Sequence, residues 1–273
     1  MTKVILKVLF FLFIFSQILY SANNIELIFP KKVVELYQSI EYGEVGPGQT
    51  FAIKINPIVR GPNSEFLGQW DLAYVTKMPP GWKATPSKIY ANPMVLEITS
   101  PKDAEDGEYE IEIEVIDEKN QENIGGKFIF GLKVKINKNI IKGNILQKPK
   151  IVGAAQPARF VVEVQNIGNA KDVFIVSLKG VKQWEFEKYV YIPQKESRNI
   201  VFEFIEPTSG SYTVLLEVKS ISSPKISWEQ KIDFVIKSDL ITEYRALNHG
   251  VILFPPMQFL FYSIPGIIGA FFE

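Results

Sequence analysis

Short stretches of alternating apolar and polar residues fill the middle of the chain. The clearest is Glu108–Val115, EYEIEIEV, in which the glutamates lie on one face and Tyr109, Ile111, Ile113 and Val115 on the other. Alternation with period 2 and β-branched residues predicts a half-buried strand. The same pattern recurs in Arg159–Gln165, Val173–Leu178, Asn199–Ile205, Tyr212–Val218 and Lys231–Ile236. Because no window shows a sustained helical period, the sequence predicts an all-β chain.

The pattern occurs in two copies, about 100 residues apart. The turn GPGQ before the strand FAIKI corresponds to GAAQ before ARFVVEV, and DGEYEIEIEV corresponds to SGSYTVLLEV. Short strands separated by turn residues, repeated in tandem, predict two antiparallel β-sandwiches. The first is expected at 24–136 and the second at 149–237, joined by a polar linker at 137–148, NKNIIKGNILQK.

Several residues recur at matching positions around a tryptophan in each copy. In the first copy these are Pro80, Gly81, Trp82, Pro101, Ala104, Gly107 and Tyr109. The second copy keeps Trp184, Pro207, Gly210 and Tyr212, but reads KQW in place of the Pro-Gly-Trp. This pattern resembles the immunoglobulin-like repeat associated with alpha-galactosidases and with S-layer-like surface proteins of archaea and bacteria. The resemblance covers roughly 45–237 and implies immunoglobulin-like sandwiches that serve as spacers, accessory modules or adhesins.

The N-terminal segment 1–22 has the layout of a secretory signal. Two lysines, Lys3 and Lys7, precede an apolar run that ends before the small residues Ser21 and Ala22. We expect cleavage near these small residues, although the segment could also remain as an anchor. The signal predicts an exported protein.

The C-terminal segment 251–272, VILFPPMQFLFYSIPGIIGAFF, contains no charged residue. Its length suits a bilayer span, although Pro255, Pro256 and Pro265 argue against a straight helix. The segment therefore predicts either a membrane anchor or an apolar element that docks on a partner subunit. Residues 238–250 would form a stalk before it.

Composition limits the chemistry that the chain can perform. Thirty basic residues balance thirty acidic ones, so nucleic acid is not an expected partner. Because the chain has no cysteine, thiolate metal sites and cysteine nucleophiles are excluded. It has one histidine, His249. No nucleotide-binding or nucleophile-elbow motif occurs. We therefore expect a non-enzyme without cofactor or metal.

Four tryptophans are the main candidates for ligand contact. Trp82 and Trp184 occupy equivalent repeat positions, which favours packing in the core. Trp70 and Trp228 have no equivalents and are the candidate residues for a ligand or partner, for example by stacking on sugar rings. Two charged features are interpreted as solvated surface: the acidic turn from Asp103 to Glu108, and the glutamate stripe of Glu108–Val115, which we expect to pair with lysines of the next strand.

These features together predict an exported, membrane-anchored, non-catalytic protein of the cell surface. Its expected role is structural spacing, adhesion or service as an accessory subunit of an envelope assembly, with a membrane or envelope protein as its partner. Two alternatives remain open. One is an accessory module that binds polysaccharide, and the other is an exported two-domain chaperone of the pilus-assembly type.

Overall fold

The computed structural model of the chain describes residues 24–61, 63–118, 124–147, 151–154, 156–181 and 184–237. These ranges contain nineteen strands and no α-helix, in agreement with the all-β prediction. Spatial contacts divide the chain into two compact units. Unit 1 comprises the described residues up to Ile140 together with the segments Gly168–Asp172 and Ser222–Ile226, and unit 2 comprises the remaining described residues from Ile141 onward.

Unit 1 is a sandwich of two main sheets. Its strands are β1 (Asn24–Phe29), β2 (Lys32–Glu35), β3 (Ser39–Val45), β4 (Thr50–Ile55), β5 (Ile58–Arg60), β6 (Phe66–Gln69), β7 (Leu72–Lys77), β8 (Lys83–Thr85), β9 (Met94–Thr99), β10 (Gly107–Ile116) and β11 (Lys127–Ile136). One sheet has the order β2-β1-β4-β9-β8 and the other β3-β11-β10-β7, while β5 and β6 form a separate hairpin. The apolar face of each alternating strand points into one shared core.

Unit 2 has the same kind of two-sheet arrangement. Its strands are β12 (Ile141–Gln147), β13 (Ile151–Gly153), β14 (Pro157–Asn166), β15 (Asp172–Lys179), β16 (Phe186–Ile192), β17 (Ser197–Ile205), β18 (Gly210–Ser220) and β19 (Ser227–Lys237). One sheet has the order β12-β14-β17 and the other β13-β19-β18-β15-β16. Four phenylalanines and a tryptophan fill its core: Phe160, Phe202, Phe204, Phe234 and Trp184.

The strand order of both units is immunoglobulin-like. In each, the strand that follows the repeated Gly-x-x-Gln turn pairs antiparallel with the strand that ends before the repeated proline, β4 with β9 and β14 with β17. The other sheet is built on a long hairpin, β10–β11 or β18–β19. The sequence predicts antiparallel sheets. Each unit, however, also has one parallel pair, β3 with β11 in unit 1 and β13 with β19 in unit 2.

The range predicted as a linker contains a strand. The range 137–148, interpreted as a polar linker, contains β12, which pairs antiparallel with β14 from Ile141↔Asn166 onward. Lys142 and Asn144 are exposed because β12 is an outer strand with one face toward solvent, and their polarity led to the linker prediction.

The two termini lie outside the described residues. This applies to the predicted signal 1–22, the stalk 238–250 and the apolar segment 251–272. Within the described ranges, no helix has the length and apolar character needed to cross a membrane.

Candidate functional site

Trp82 and Trp184 are core residues, as their equivalent positions predict. They are 5% and 3% exposed, respectively. Trp82 packs against Tyr109 with ring centroids 5.5 Å apart, and Trp184 packs against Tyr212 at 5.1 Å. The two tryptophans therefore fill the same place in the two units and are not available to a ligand.

Trp70 also lies in a core, which corrects its selection as a ligand residue. Only 1% of it is exposed, and its ring packs near Phe128 with centroids 6.3 Å apart. The sequence suggested otherwise because Trp70 has no partner in the second copy. It follows the β5–β6 hairpin, an insertion of the first copy, and Trp70 anchors the end of that insertion through its backbone N–H, which donates to the carbonyl of Pro57 at 2.8 Å.

Trp228 is half-buried on β19 and covers Gly143 of β12. A Cβ atom placed on Gly143 would lie 2.4–2.5 Å from three carbons of the indole ring. This close approach shows that the six-membered ring of Trp228 lies directly on the glycine backbone. Part of the ring is thus engaged within unit 2, and only its remaining surface is open to a ligand.

The glutamate stripe on β10 lies next to lysines, but most of its partners come from other strands. The β10–β11 register places Glu108 opposite Lys135 and Glu110 opposite Lys133, as predicted. The hydrogen bonds, however, reach outward: Glu110 accepts from Ser39 of β3 at 2.8 Å, and Glu112 accepts from Lys77 of β7 at 3.0 Å. The hydrogen bonds from Lys77 and Thr76 hold the pKa of Glu112 below its usual value.

The acidic turn before β10 has partners of its own. Asp106 accepts a hydrogen bond from the backbone N–H of Lys138 at 3.0 Å, and the Lys138 ammonium lies 4.0 Å from the same carboxylate. Across the described part of the chain, no group of three or more Asp, Glu, His or Cys side chains is arranged to hold a metal ion.

A buried carboxylate lies on the outer face of the five-stranded sheet in unit 2. Glu217 of β18 points away from the core, yet only 8% of its side chain is exposed. Its carboxylate accepts a hydrogen bond from Lys179 of β15 at 2.7 Å and forms an ion pair with Lys219. We call Lys179, Glu217 and Lys219 the Glu217 cluster.

The two lysines determine the charge state of the Glu217 cluster. Burial of the carboxyl group raises the pKa of Glu217, but the hydrogen bonds from Lys179 and Lys219 outweigh burial and lower this pKa to about 2. The bond to Glu217 in turn raises the pKa of Lys179. At neutral pH these three side chains sum to one positive charge, and the carboxylates of Glu187 and Glu229 lie near Lys179.

Exposed aromatic residues border the Glu217 cluster on β16, the outer strand of the same sheet. Tyr189 is 65% exposed and Tyr191 is 53% exposed. Phe186 of β16 packs on the buried Phe202 with ring centroids 5.1 Å apart, so Phe186 points into the core and the next residue, Glu187, is on the outer face. Because strand residues alternate, Tyr189 and Tyr191 share that face. We call Glu187, Tyr189 and Tyr191 the tyrosine edge.

The tyrosine edge and the Glu217 cluster lie on the outer face of the same sheet. Exposed tyrosines supply large contact area with few rotatable bonds, and they are enriched where proteins bind one another. No tryptophan lies among these residues, and for this reason they were not among the ligand candidates predicted from the sequence. The available signal was the segment KYVYI, in which two tyrosines are separated by one residue, as on one face of a strand.

Comparisons with known proteins give structural neighbours only. No family model matches the chain, and no curated protein does. A CARDB domain from Pyrococcus furiosus, solved in complex with di-metal ions, is 18% identical, with coverage of 36% of this chain and 87% of that chain and a TM-score of 0.30. Fibronectin(III)-like modules of Clostridium thermocellum CbhA are 8% identical, with coverage of 78% of this chain and 94% of that chain and a TM-score of 0.28.

A third structure, a chimeric titin Z1Z2, is 10% identical and covers 80% of this chain and 100% of that chain, with a TM-score of 0.35. All three TM-scores are low. The immunoglobulin-like character of the units is therefore assigned from their strand order.

Proposed function

We propose that this chain is an exported, membrane-anchored and non-catalytic protein of the cell surface, and that unit 2 binds an envelope protein through the outer face of its five-stranded sheet. The observation that carries the proposal is the tyrosine edge beside the Glu217 cluster. Two tyrosines that are more than half exposed lie on a rigid sheet, next to a cation-bearing group held by ion pairs.

A folded protein partner suits this surface better than a small ligand. Tyr189 and Tyr191 lie along one strand and provide a flat, extended contact area rather than a concave pocket. A carboxylate of the partner can pair with Lys179 or Lys219, since the side chains of these lysines are 49% and 42% exposed, respectively. A flat aromatic area with charges at its side is typical of protein–protein contacts.

Export and anchoring rest on the sequence. Segment 1–22 has the order of a secretory signal, and segment 251–272 is an uncharged run long enough for a bilayer. Together they would hold both units outside the cytoplasm, close to the membrane. In such a position a structural, adhesive or accessory role toward another envelope protein follows naturally.

The experiment is co-purification from solubilised membranes of the native cells, with the tagged full-length chain and mass spectrometry. We expect a defined protein partner that is lost from the double variant Tyr189→Ala/Tyr191→Ala. The matched control is Tyr37→Ala in unit 1, a tyrosine that is 71% exposed, which should retain the partner. Equal recovery from both variants would contradict the assignment of the surface.

A polysaccharide ligand is the competing outcome, because tyrosine rings also stack on sugars. In that case the double variant would lose retention on purified envelope polysaccharide, and no protein would be recovered in a tyrosine-dependent way. This result would replace the protein partner by a glycan.

A further inference from the structure

The two units differ at one sheet edge. In unit 1, β9 is covered by β8, which pairs with it from Lys83↔Thr99 to Thr85↔Glu97. The equivalent strand of unit 2 is β17, but the strand that follows Trp184, β16, belongs to the other sheet. Among the described strands, none pairs with the outer side of β17.

The uncovered strand is long and regular. β17 makes nine consecutive antiparallel pairs with β14, from Pro157↔Ile205 to Gln165↔Ser197, without a register shift. Its sequence, SRNIVFEFI, contains no proline or lysine and is rich in β-branched and aromatic residues. Long edges without proline or a bulge are templates for pairing with another strand.

The solvent face of this sheet is also unusually apolar at its centre. Val201 of β17 is 43% exposed and lies opposite Val161 of β14. Leu146 is 47% exposed and lies at the register shift of β12, directly before Gln147, which pairs with Val161. These three residues form an apolar strip that runs across all three strands and reaches the open edge. Solvent-facing positions of antiparallel sheets are ordinarily polar.

We propose that β17 pairs antiparallel with β17 of a second copy of this chain, on a two-fold axis through Val201. Two identical antiparallel strands in one continuous sheet are related by an axis perpendicular to that sheet. Each residue is therefore opposite a residue of the second copy whose side chain lies on the same face of the sheet. Val201 is the middle residue of Ser197–Ile205, and this register therefore pairs all nine residues.

The side chains fit this register. Asn199 faces Glu203 of the second copy, twice, so that a carboxamide N–H can donate to a carboxylate across the interface. Val201 faces Val201, which joins the two apolar strips. A shift to an axis at Arg198 or Glu203 would place like charges directly opposite each other, which destabilises a strand pair. Self-pairing at Val201 is thus the register that pairs all nine residues without opposing like charges, and it does not depend on the proposed function.

The experiment exploits the absence of cysteine from the chain. Directly opposed residues of antiparallel strands have Cα atoms about 4.5–5.5 Å apart, within the range of a disulfide. Val201→Cys should give a disulfide-linked dimer as the main product of mild oxidation of the full-length protein. Val33→Cys, on an exposed residue of β2 in unit 1, reports random collisions and should stay monomeric.

Two further variants test the register. Asn199→Cys and Glu203→Cys should each remain unlinked alone and should cross-link when mixed, because each faces the other across the axis. The mass of the wild type, measured by light scattering, should double as its concentration rises. The variant Val201→Lys should remain monomeric in the same measurement. A wild type that is monomeric at every concentration overturns the proposal, as does equal cross-linking of Val201→Cys and Val33→Cys, or cross-linking of Asn199→Cys alone.

Discussion

The hydroxyl group of Tyr212 donates a hydrogen bond to the carbonyl oxygen of Thr208, four residues earlier and 2.9 Å away. Tyr109 of unit 1 makes the same bond to Glu105 at 3.0 Å. Each tyrosine ring packs on the repeated tryptophan of its unit. This arrangement resembles the tyrosine corner of immunoglobulin-like sandwiches, and it fixes the turn that leads into β10 or β18.

Removal of this hydroxyl should destabilise unit 2. We expect Tyr212→Phe to lower the free energy of unfolding by about 0.5–1.5 kcal/mol, since the ring contacts remain and one hydrogen bond is lost. Chemical denaturation followed by tryptophan fluorescence measures the effect. Tyr189→Phe is the control, because that tyrosine is 65% exposed, and it should leave stability unchanged. An equal effect of both variants would show that the corner bond contributes nothing.

A methyl group on Gly143 should disrupt its contact with Trp228. Gly143→Ala would force the indole ring or β12 to move, and we expect a loss of about 1–3 kcal/mol, the usual cost of overpacking. Gly107→Ala is the matched control, because the nearest atom to its Cβ would be 3.8 Å away. In a Trp228→Ala background the effect of Gly143→Ala should largely disappear. Additive losses in that double-mutant cycle would refute a direct contact.

The Glu217 cluster should make stability depend on pH in the acid range. The folded-state pKa of Glu217, about 2, lies below its unfolded value, so its contribution is complete above about pH 4.5 and falls as pH approaches 2. Glu217→Gln should lower stability at pH 7 by about 1–3 kcal/mol. The difference between wild type and variant should shrink as pH falls through this window.

Denaturation curves from pH 7 to pH 2 measure this difference. The control is Glu185→Gln, an exposed carboxylate of unit 2 outside the Glu217 cluster. It should change stability by less than about 0.5 kcal/mol at pH 7, as surface substitutions usually do. A constant gap between wild type and Glu217→Gln at all pH values would mean that Glu217 is not held ionised by its lysines.

The apolar tail should decide how the protein fractionates. The full-length chain should remain in the membrane pellet after high-salt and carbonate washes, because residues 251–272 carry no charge and are numerous enough to span about 30 Å of hydrocarbon. A chain that ends at Lys237 should be recovered in the soluble fraction. A full-length protein that stays soluble after loss of its signal would contradict the anchor.

Alternation along the strands was sufficient to predict most of the fold. Glu108–Val115 lies within β10 and Tyr212–Val218 within β18, because a half-buried strand must place apolar residues at every second position. Matching tryptophans also located the two cores correctly. In both cases one copy of the repeat tested the interpretation of the other.

Sequence patterns were less informative where the two copies differ. Trp70 follows an insertion without a counterpart, and periodicity does not reveal which face of an irregular segment is buried. The ion pairs were misassigned for a related reason: the hairpin register is readable from β10 and β11, but the bonds of Glu110 and Glu112 go to β3 and β7, whose sheet positions depend on topology. The contact between Glu217 and Lys179 could not be predicted from the sequence, because it depends on the pairing of β15 with β18.

Photo-crosslinking in living cells tests the proposed binding surface most directly. A benzophenone amino acid at position 189 or 191 of the full-length chain should give a crosslinked adduct with one envelope protein, because both side chains face the partner. The same amino acid at position 37, which replaces a more exposed tyrosine of unit 1, should give none. Absence of a protein adduct at both 189 and 191, or the same adduct at 37, would contradict a partner site on this face of unit 2.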